Sequence, residues 1–418
     1  MSTIAVLTDA DVVRIRRRSR VAIIGGQALA GVGMGATFSA GALLATQLSG
    51  SPAWSGTATT LSTLGAAAAA IPLARLAQRS GRSPALATGS SLAALGAVVA
   101  IVATAAGLFP LFLVAMGLLG VGTAVNLQSR FAATDLSDPA KRGRDLSIVV
   151  WSTTLGAVLG PNLIGPGDTL GRSLGLPALS GVLFFALAAQ VVAIVVYLVV
   201  LRPDPLRTAL RLGVERGVVE VETRAEDRGG VMVGILTLAF SHATMASVMA
   251  MTPVYLVDHG ATLQIVGLTI SLHVAGMFAL SPLWGVLSDR FGRTPVIALG
   301  QGMLLASLFM TSFGAEDSGW VLAGLIFLGL GWSAATVAAS GLVADSADPL
   351  RRTVVQGRAD LSMSLAGGVG AASAGVVLAA IGYAGLSLVA MALVAAVVVA
   401  LVVRVVRRNS AALESGQV

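Results

Sequence analysis

Long hydrophobic stretches separated by short polar segments run along the whole chain. Most are about 20 residues long or longer, the length that an α-helix needs to cross the hydrocarbon core of a bilayer. The stretches are continuous rather than alternating, which favours helices over the strands of a transmembrane barrel. Twelve can be counted, at about 21–47, 57–77, 85–107, 109–132, 146–166, 178–201, 231–256, 263–286, 295–314, 320–344, 359–381 and 386–404. This pattern predicts an all-α membrane protein with twelve transmembrane helices.

The composition agrees with a membrane protein and excludes most enzyme classes. Of the 418 residues, 56% are hydrophobic and 11% are charged, whereas soluble domains carry about 25% charged residues. The 50 glycines suit close helix packing in lipid, and the lack of cysteine excludes disulfides and thiolate metal sites. The sequence contains no phosphate-binding loop, nucleophile elbow or paired-carboxylate site. We therefore expect no enzymatic activity and no cofactor, and a gradient as the source of energy.

The net charge of +7 comes from arginines at the ends of the hydrophobic stretches. If the N-terminus is cytoplasmic, every Arg and Lys except Arg172 falls on the cytoplasmic side, as the positive-inside rule requires. This placement predicts a multi-pass protein of the inner or plasma membrane with both termini in the cytoplasm. The basic charge then serves topology and contacts with the lipid bilayer, so we expect no nucleic-acid partner.

The only long polar stretch divides the chain near its middle. It predicts an N-terminal six-helix bundle at 1–201, a cytoplasmic linker loop at 202–229 and a C-terminal six-helix bundle at 230–418. Pseudo-symmetric halves with a substrate site between them are a known transporter architecture. Nothing in the sequence requires more than a monomer.

Internal repetition supports this division. The run Leu287-Ser288-Asp289-Arg290-Phe291-Gly292-Arg293 follows the second helix of the second half, and Leu76-Ala77-Gln78-Arg79-Ser80-Gly81-Arg82 follows the second helix of the first. A second pair follows the fourth helix of each half, where Asp138-Pro139 and Asp348-Pro349 each precede an Asp-Leu-Ser sequence.

One of these runs resembles the loop signature of the major facilitator superfamily. The second copy carries Gly285, Asp289, Arg290, Gly292 and Arg293, whereas the first copy is degenerate and keeps Arg79, Gly81 and Arg82. The resemblance implies the major facilitator fold and transport by alternating access. In that mechanism Asp289 caps or bridges helix ends, and the charged contacts hold one conformation and break in the other. Alternatively, these residues are topology charges only.

A further resemblance lies in the fifth stretch. The run Gly156-Ala157-Val158-Leu159-Gly160-Pro161 is similar to the Gly-Pro signature of antiporter branches of the superfamily. Close packing of helices through small residues explains the same run equally well.

The second half places histidine and methionine inside the membrane. Burying an ionisable group there costs free energy, so such groups are candidate functional residues. Helical spacing puts His242, Met245 and Met249 within about 60° of one another on span seven. On span eight His273 and Met277 share a face. The two stripes lie at comparable depth, so they could form a ladder of imidazole and thioether, which suits the soft ion Cu(I). Methionine is also a flexible core filler, and a buried histidine often only bonds a neighbouring helix.

The same motifs resemble those of the CcoA-like copper importers, a branch of the superfamily. The resemblance implies that Met245, Met249, His273 and Met277 are copper ligands and that copper is the transported substrate, moving inward. Relatives within that group are thought to carry riboflavin or other cargo. The alternative is therefore a carrier of small organic molecules, either a drug exporter driven by proton antiport or an importer of a riboflavin-like vitamin. A membrane sensor or scaffold without transport is a third class.

Other polar residues of the spans are candidates for lining a substrate cavity, namely Gln27, Asn126, Gln128 and Asn162. Arg130 lies one turn beyond Asn126, where it either anchors the helix or meets an anionic cargo. His259, beside Asp258 in an outer loop, either captures metal or is a solvated loop residue.

Overall fold

The computed structural model describes residues 8–51, 54–177, 179–215, 226–261, 263–314 and 317–414. These residues are almost entirely helical, and no strand occurs among them. Within this part of the chain, nine helices are long and apolar enough to cross a membrane. The predicted all-α membrane architecture is confirmed.

The first half has seven α-helices before the central loop, and an eighth lies within that loop. They are α1 (Asp9–Ser49), α2 (Ser55–Ser80), α3 (Arg82–Ala106), α4 (Phe109–Ala132), α5 (Arg142–Asn162), α6 (Ile164–Ser173), α7 (Val182–Val195) and α8 (Pro205–Glu215). A π-helical turn at Val196–Val200 extends α7. Thr8 begins α1 by accepting a hydrogen bond from the Asp11 backbone N–H, and Gly50 ends it with φ of 73°.

The second half contains six helices. They are α9 (Arg228–Asp258), α10 (Leu263–Phe278), α11 (Ser281–Phe291), α12 (Arg293–Phe313), α13 (Ser318–Ser346) and α14 (Arg352–Glu414). Gly382, with φ of 73° and ψ of −179°, interrupts α14 and divides it into the two predicted last spans.

The eighth span differs from the continuous stretch that the sequence predicts. The helix ends at Phe278 and begins again at Ser281, so α10 and α11 together form this span. Pro282 lies in the first turn of α11, where its missing backbone N–H costs no helical hydrogen bond. The break begins two residues after Met277, one of the predicted ligands.

The chain forms two compact units. The first comprises Met1–Ala225 together with Asp348–Leu361, and the second comprises Glu226–Ala347 together with Ser362–Val418. The sequence-based division places residues 348–361 in the second bundle by chain order, whereas their contacts group them with the first unit. The unit boundary therefore falls inside α14, between Leu361 and Ser362.

Glycine sets the helix spacing in both units. In the first, Gly156 of α5 packs against the backbone of Gly31 on α1, and a Cβ at position 156 would collide with that backbone. In the second, a Cβ at Gly329 of α13 would collide with the carbonyl oxygen of His273 on α10. These contacts bring backbones together without an intervening side chain, as is typical of helices packed in lipid.

Candidate functional site

His273 is held in the second unit with one ring nitrogen available. Its side chain is fully buried, and Nδ1 lies 2.8 Å from the backbone oxygen of Leu325 on α13. A carbonyl oxygen only accepts, so Nδ1 carries the hydrogen and Nε2 keeps a lone pair. Nε2 makes no hydrogen bond to any described residue. The ring therefore presents a fixed acceptor within the bundle.

His242 has the opposite arrangement. The indole Nε1–H of Trp332 on α13 donates to Nδ1 of His242 at 3.0 Å, and the ring packs over Gly367. The Nδ1 lone pair is thus in use, and in the neutral ring Nε2 carries the hydrogen. In this tautomer His242 offers no lone pair to a metal ion.

The methionines of the two stripes differ in their burial within the second unit. Met245 and Met277 are buried, and Met249 is half-buried. Among the described residues, no group of three or more His, Asp or Glu side chains could hold a metal ion. A metal site here would have to use thioether ligands. The prediction is that one ion contacts Met245, Met249, His273 and Met277, and it stays a prediction.

Other neutral polar groups of the second unit also have unused hydrogen-bonding capacity. Gln301 of α12 donates through Nε2 to Ser241 Oγ at 2.9 Å, and its buried Oε1 makes no hydrogen bond to a described residue. On α13 the hydroxyls of Ser333, Thr336 and Ser340 are buried and likewise make none within the described chain. Sequence reasoning missed these groups, although their spacing of three and four residues places them along one side of α13.

The first unit contains a comparable set of amides. Gln27 Nε2 donates to Thr153 Oγ1 at 3.0 Å, and Gln128 Nε2 donates to the backbone oxygen of Ala70 at 3.0 Å. Both amides are buried, and their Oε1 atoms make no hydrogen bond to described residues. Gln190, which the sequence analysis missed, also has a buried Oε1 that makes no hydrogen bond to a described residue.

The remaining two residues predicted to line a substrate cavity are Asn126 and Asn162. Asn126 is half-buried, and its Nδ2 makes no hydrogen bond within the described chain. The Asn162 side chain lies outside the described residues.

The degenerate first copy of the loop signature contains a buried ion pair. Arg82 donates through Nε and Nη2 to the two carboxylate oxygens of Asp135 at 2.8 and 3.1 Å, and both side chains are 1% exposed. Nη2 also donates to Gln356 Oε1 at 2.8 Å. Arg79 is exposed, whereas Gly81, with φ of 98°, lets the chain turn tightly beside Asp204.

The second copy has an equivalent pair. Arg293 donates to Asp289 Oδ1 at 2.7 Å, to Ser288 Oγ at 3.0 Å and to Asp345 Oδ2 at 2.9 Å. Arg290 is exposed and its guanidinium lies over the Phe291 ring, 5.4 Å from the centroid. The Arg293 network therefore links the end of α11 to the end of α13 and leaves Arg290 outside it.

The two predicted glycines of this copy differ in role. Gly292 has φ of 92° between α11 and α12, a conformation that other residues rarely adopt. Gly285 is buried within α11.

Arg130 has a partner that the sequence analysis did not identify. Its Nη2 donates to Asp360 Oδ1 at 2.7 Å, and the two side chains are 3% and 0% exposed. Asp360 was missed because it lies at the edge of a predicted span, 230 positions away in the chain. The Asp-Leu-Ser sequence shared with Asp145 was the signal that could have identified it.

Asp145, which precedes the predicted fifth span, lies among several arginines. Arg20 donates to Oδ1 at 2.6 Å, and Arg16 and Ser137 donate to Oδ2 at 3.1 and 2.6 Å. Burial opposes ionisation of this carboxyl, but the hydrogen bonds from Ser137 and Arg16 and the charge of Arg20 outweigh it and hold its pKa below the ordinary value. Asp145 therefore remains a carboxylate at neutral pH.

Comparison with known proteins identifies the family. The model of the Major Facilitator Superfamily matches residues 23–262 and 233–417. The uncharacterized MFS-type transporter YddS of Bacillus subtilis is 36% identical over 365 residues, which cover 85% of this chain and 84% of YddS. The riboflavin transporter RfnT of Brucella anthropi is 31% identical over 235 residues, which cover 56% of this chain and 57% of RfnT.

Solved structures share the fold. The proton:xylose symporter XylE superposes with a TM-score of 0.74 at 14% identity, covering 93% of this chain and 95% of XylE. The human organic anion transporter MFSD10 gives a TM-score of 0.70 at 17% identity, covering 92% of this chain and 99% of MFSD10. The chain therefore belongs to the major facilitator superfamily of membrane transporters.

Proposed function

We propose that this transporter carries a small, uncharged organic molecule rich in hydrogen-bonding groups across the plasma membrane. The observation that carries the proposal is the chemistry of the buried polar atoms. Amide oxygens in the first unit and hydroxyls, an amide oxygen and an imidazole nitrogen in the second have unused hydrogen-bonding capacity. Groups of this kind fix the orientation of an uncharged cargo without requiring a counter-charge.

The charged groups support the same proposal. Arg82, Arg130 and Arg293 each form an ion pair with an aspartate, so their charges are already compensated within the protein. An anionic cargo bound at these arginines would have to displace a carboxylate that is already in place. A neutral cargo faces no such competition.

Riboflavin is the probe that we favour. A relative 31% identical over 235 residues is a riboflavin transporter, and riboflavin combines an aromatic ring system with a polar chain of hydroxyls. The break between α10 and α11, which follows His273 by more than one helical turn, supports a cargo site in the second unit, since transporter sites are commonly formed at interrupted helices.

The test is uptake of labelled riboflavin by cells that lack their own riboflavin importer. Cells with the wild-type chain should accumulate the label, and cells with His273→Ala should accumulate less, since this variant removes the available Nε2. His259→Ala is the matched control, because His259 is exposed just after the end of α9, where its Nδ1 lies 2.9 Å from the Tyr255 backbone oxygen and its ring packs against the Tyr255 ring. Wild-type uptake no greater than that of empty cells would overturn the proposal.

Cu(I) import is the second candidate, and one observation favours it. A metal-bound histidine usually donates its other ring N–H to a carbonyl or carboxylate, which is the arrangement of His273 with Leu325. Met277, one helical turn later and buried, could add a thioether.

Copper accumulation in the same cells separates the two candidates. If copper is the cargo, Met245→Ala and His273→Ala both lower cell-associated copper while riboflavin uptake stays at background. If riboflavin is the cargo, copper content does not depend on the chain at all. Immunodetection of the variants in the membrane is the control for expression.

A further inference from the structure

Helix α8, which follows the sixth span, packs on the first unit with one face and leaves the other face exposed. Pro205 and Thr208 are buried, whereas Arg207, Leu210 and Arg211 are exposed. At 100° per residue the three exposed residues lie within about 100° of one another, on the side turned away from the unit. The helix therefore lies along the surface of the first unit and presents arginine and leucine outward.

Asp204 fixes α8 to the turn between α2 and α3. Its carboxylate accepts hydrogen bonds from the Ser83 backbone N–H at 2.7 Å and from the Arg207 backbone N–H at 3.1 Å. Its backbone oxygen accepts from the Thr208 backbone N–H at 2.9 Å, which begins the helix. At the end of α2 the backbone oxygen of Arg79 accepts from Arg207 Nη2 at 3.4 Å. These contacts hold α8 in a defined position on the first unit.

The arginines around α8 carry positive charge that no described carboxylate compensates. On α1, Arg18 donates through Nε to the Val200 backbone oxygen at 2.9 Å and through Nη2 to that of Val199 at 3.0 Å. A carbonyl oxygen holds no net charge, so the charge of the guanidinium remains. Five exposed arginines around the helix form no ion pair with a described residue, namely Arg18, Arg79, Arg202, Arg207 and Arg211. The buried arginines of the same unit each have an aspartate partner, namely Arg82 and Arg130.

We propose that α8 is an interfacial helix whose exposed arginines bind the phosphate groups of anionic phospholipids, such as phosphatidylglycerol, at the cytoplasmic surface of the membrane. Chain connectivity places the helix at that surface, because the π-helical turn of the sixth span ends at Val200 and α8 begins at Pro205. Guanidinium groups bind phosphate oxygens through paired N–H donors. Leu210, 43% exposed on the same face, inserts its apolar side chain below the headgroups.

The attachment of α8 gives lipid binding an effect on the transporter itself. Asp204 and Arg207 join α8 to the turn at Gly81, which belongs to the first copy of the loop signature. A helix held at the lipid surface therefore restrains this turn. An acidic protein segment would meet the same arginines, but the exposed Leu210 and the adjacent end of a membrane span favour lipid. Lipid binding at α8 does not depend on the identity of the cargo.

The test uses the absence of native cysteine. Leu210→Cys carries a fluorophore, and phosphatidylcholine vesicles containing the full chain receive the same small fraction of spin-labelled phosphatidylglycerol or spin-labelled phosphatidylcholine. Spin labels quench fluorescence only at short range, so the quenching ratio of the two lipids reports which one is enriched beside α8. We expect phosphatidylglycerol to quench at least about twice as strongly, because each exposed arginine adds to the attraction of anionic lipid. Leu174→Cys is the matched control and should give a ratio near one, since Leu174 is exposed near Arg172, whose charge is paired with Asp168.

Variants in the Leu210→Cys chain identify the groups that bind lipid. Arg207→Gln combined with Arg211→Gln should bring the quenching ratio close to one. Arg211→Gln alone should lower it without disturbing the fold, because the Arg211 side chain bonds no described residue. Raising the salt concentration from about 0.1 M to about 1 M should also lower the ratio, since the Debye length falls from about 10 Å to about 3 Å. A ratio near one before substitution overturns the proposal, as does a ratio that the substitutions leave unchanged. A label that neither lipid quenches also overturns it, because α8 would then lie away from the membrane.

Discussion

Arg82 binds both carboxylate oxygens of Asp135, at 2.8 and 3.1 Å, and the pair is almost completely excluded from solvent. Arg293 and Asp345 form the equivalent pair in the second repeat, at 2.9 Å. The loop signature has therefore kept its ion pair in the first copy, even though that copy has lost the leading glycine and the aspartate. The retained pair connects the start of α3 to the segment after α4 and gives the first copy a structural function.

Replacing Arg82 by alanine should destabilise the protein strongly. The substitution leaves the buried carboxylate of Asp135 without its cation, which costs about 3–5 kcal/mol when one partner of a buried pair is removed. Arg172→Ala is the control, because Arg172 forms an exposed pair with Asp168 that is worth at most about 1 kcal/mol. Thermal unfolding in detergent measures both variants, and equal losses of stability in the two would contradict the structural assignment.

The glycine contact between α1 and α5 predicts that alanine is tolerated differently at Gly156 of the Gly-Pro run and at Gly165 of α6. Gly156→Ala should lower the unfolding temperature and the yield, since the new Cβ would collide with the backbone of Gly31. Gly165→Ala should be tolerated, because nothing lies within 4 Å of the new Cβ. Fluorescence-detected size-exclusion chromatography compares the two, and a well-folded Gly156→Ala variant would show that close packing does not explain this motif.

The Asp145 cluster predicts a pH-dependent contribution to stability. The folded-state pKa of Asp145 lies below the ordinary value of 3.8, so its stabilisation is fully present above that value and is lost as the pH falls through the folded-state pKa. Asp145→Asn should therefore be less stable than the wild type at neutral pH. The difference should shrink in acid, as measured by thermal unfolding across a pH series. A difference that stays constant with pH would rule out this linkage.

The unbonded hydroxyls of α13 predict an effect on transport without a loss of stability. Thr336→Val removes a hydroxyl that bonds no described residue, so the fold loses little. If the hydroxyl binds cargo, the KM for riboflavin should rise about two- to tenfold, the effect of one hydrogen bond. Thr311→Val is the contrasting variant, since the Thr311 hydroxyl lies 2.8 Å from that of Ser387, and it should lower stability. An unchanged KM in Thr336→Val would remove this residue from the cargo site.

The sequence predicts the helices well, because each span carries its own hydrophobic signal. Each of the twelve stretches falls largely on helical residues of the structure, and the loop signature indicates the family that the comparisons confirm. The break in span eight was not predicted, because Ala279 and Leu280 are hydrophobic and hydropathy does not report backbone geometry. Pro282 was the local signal for it.

Partners across the fold were harder to predict. The Arg130–Asp360 pair joins helices far apart in the chain, and neither residue carries a local pattern that specifies the other. The tautomers of His242 and His273 also depend on α13, which supplies an indole donor to one and a carbonyl acceptor to the other. Spacing on α9 and α10 alone could not distinguish a bonded imidazole from an available one.

Counterflow of riboflavin in proteoliposomes tests the central claim most directly, because exchange requires a working carrier but no knowledge of the coupling ion. Vesicles containing the purified chain and loaded with unlabelled riboflavin should take up external label transiently above its equilibrium level. The same overshoot should be reduced by His273→Ala and preserved by His259→Ala. Uptake no faster than in protein-free vesicles would contradict the account.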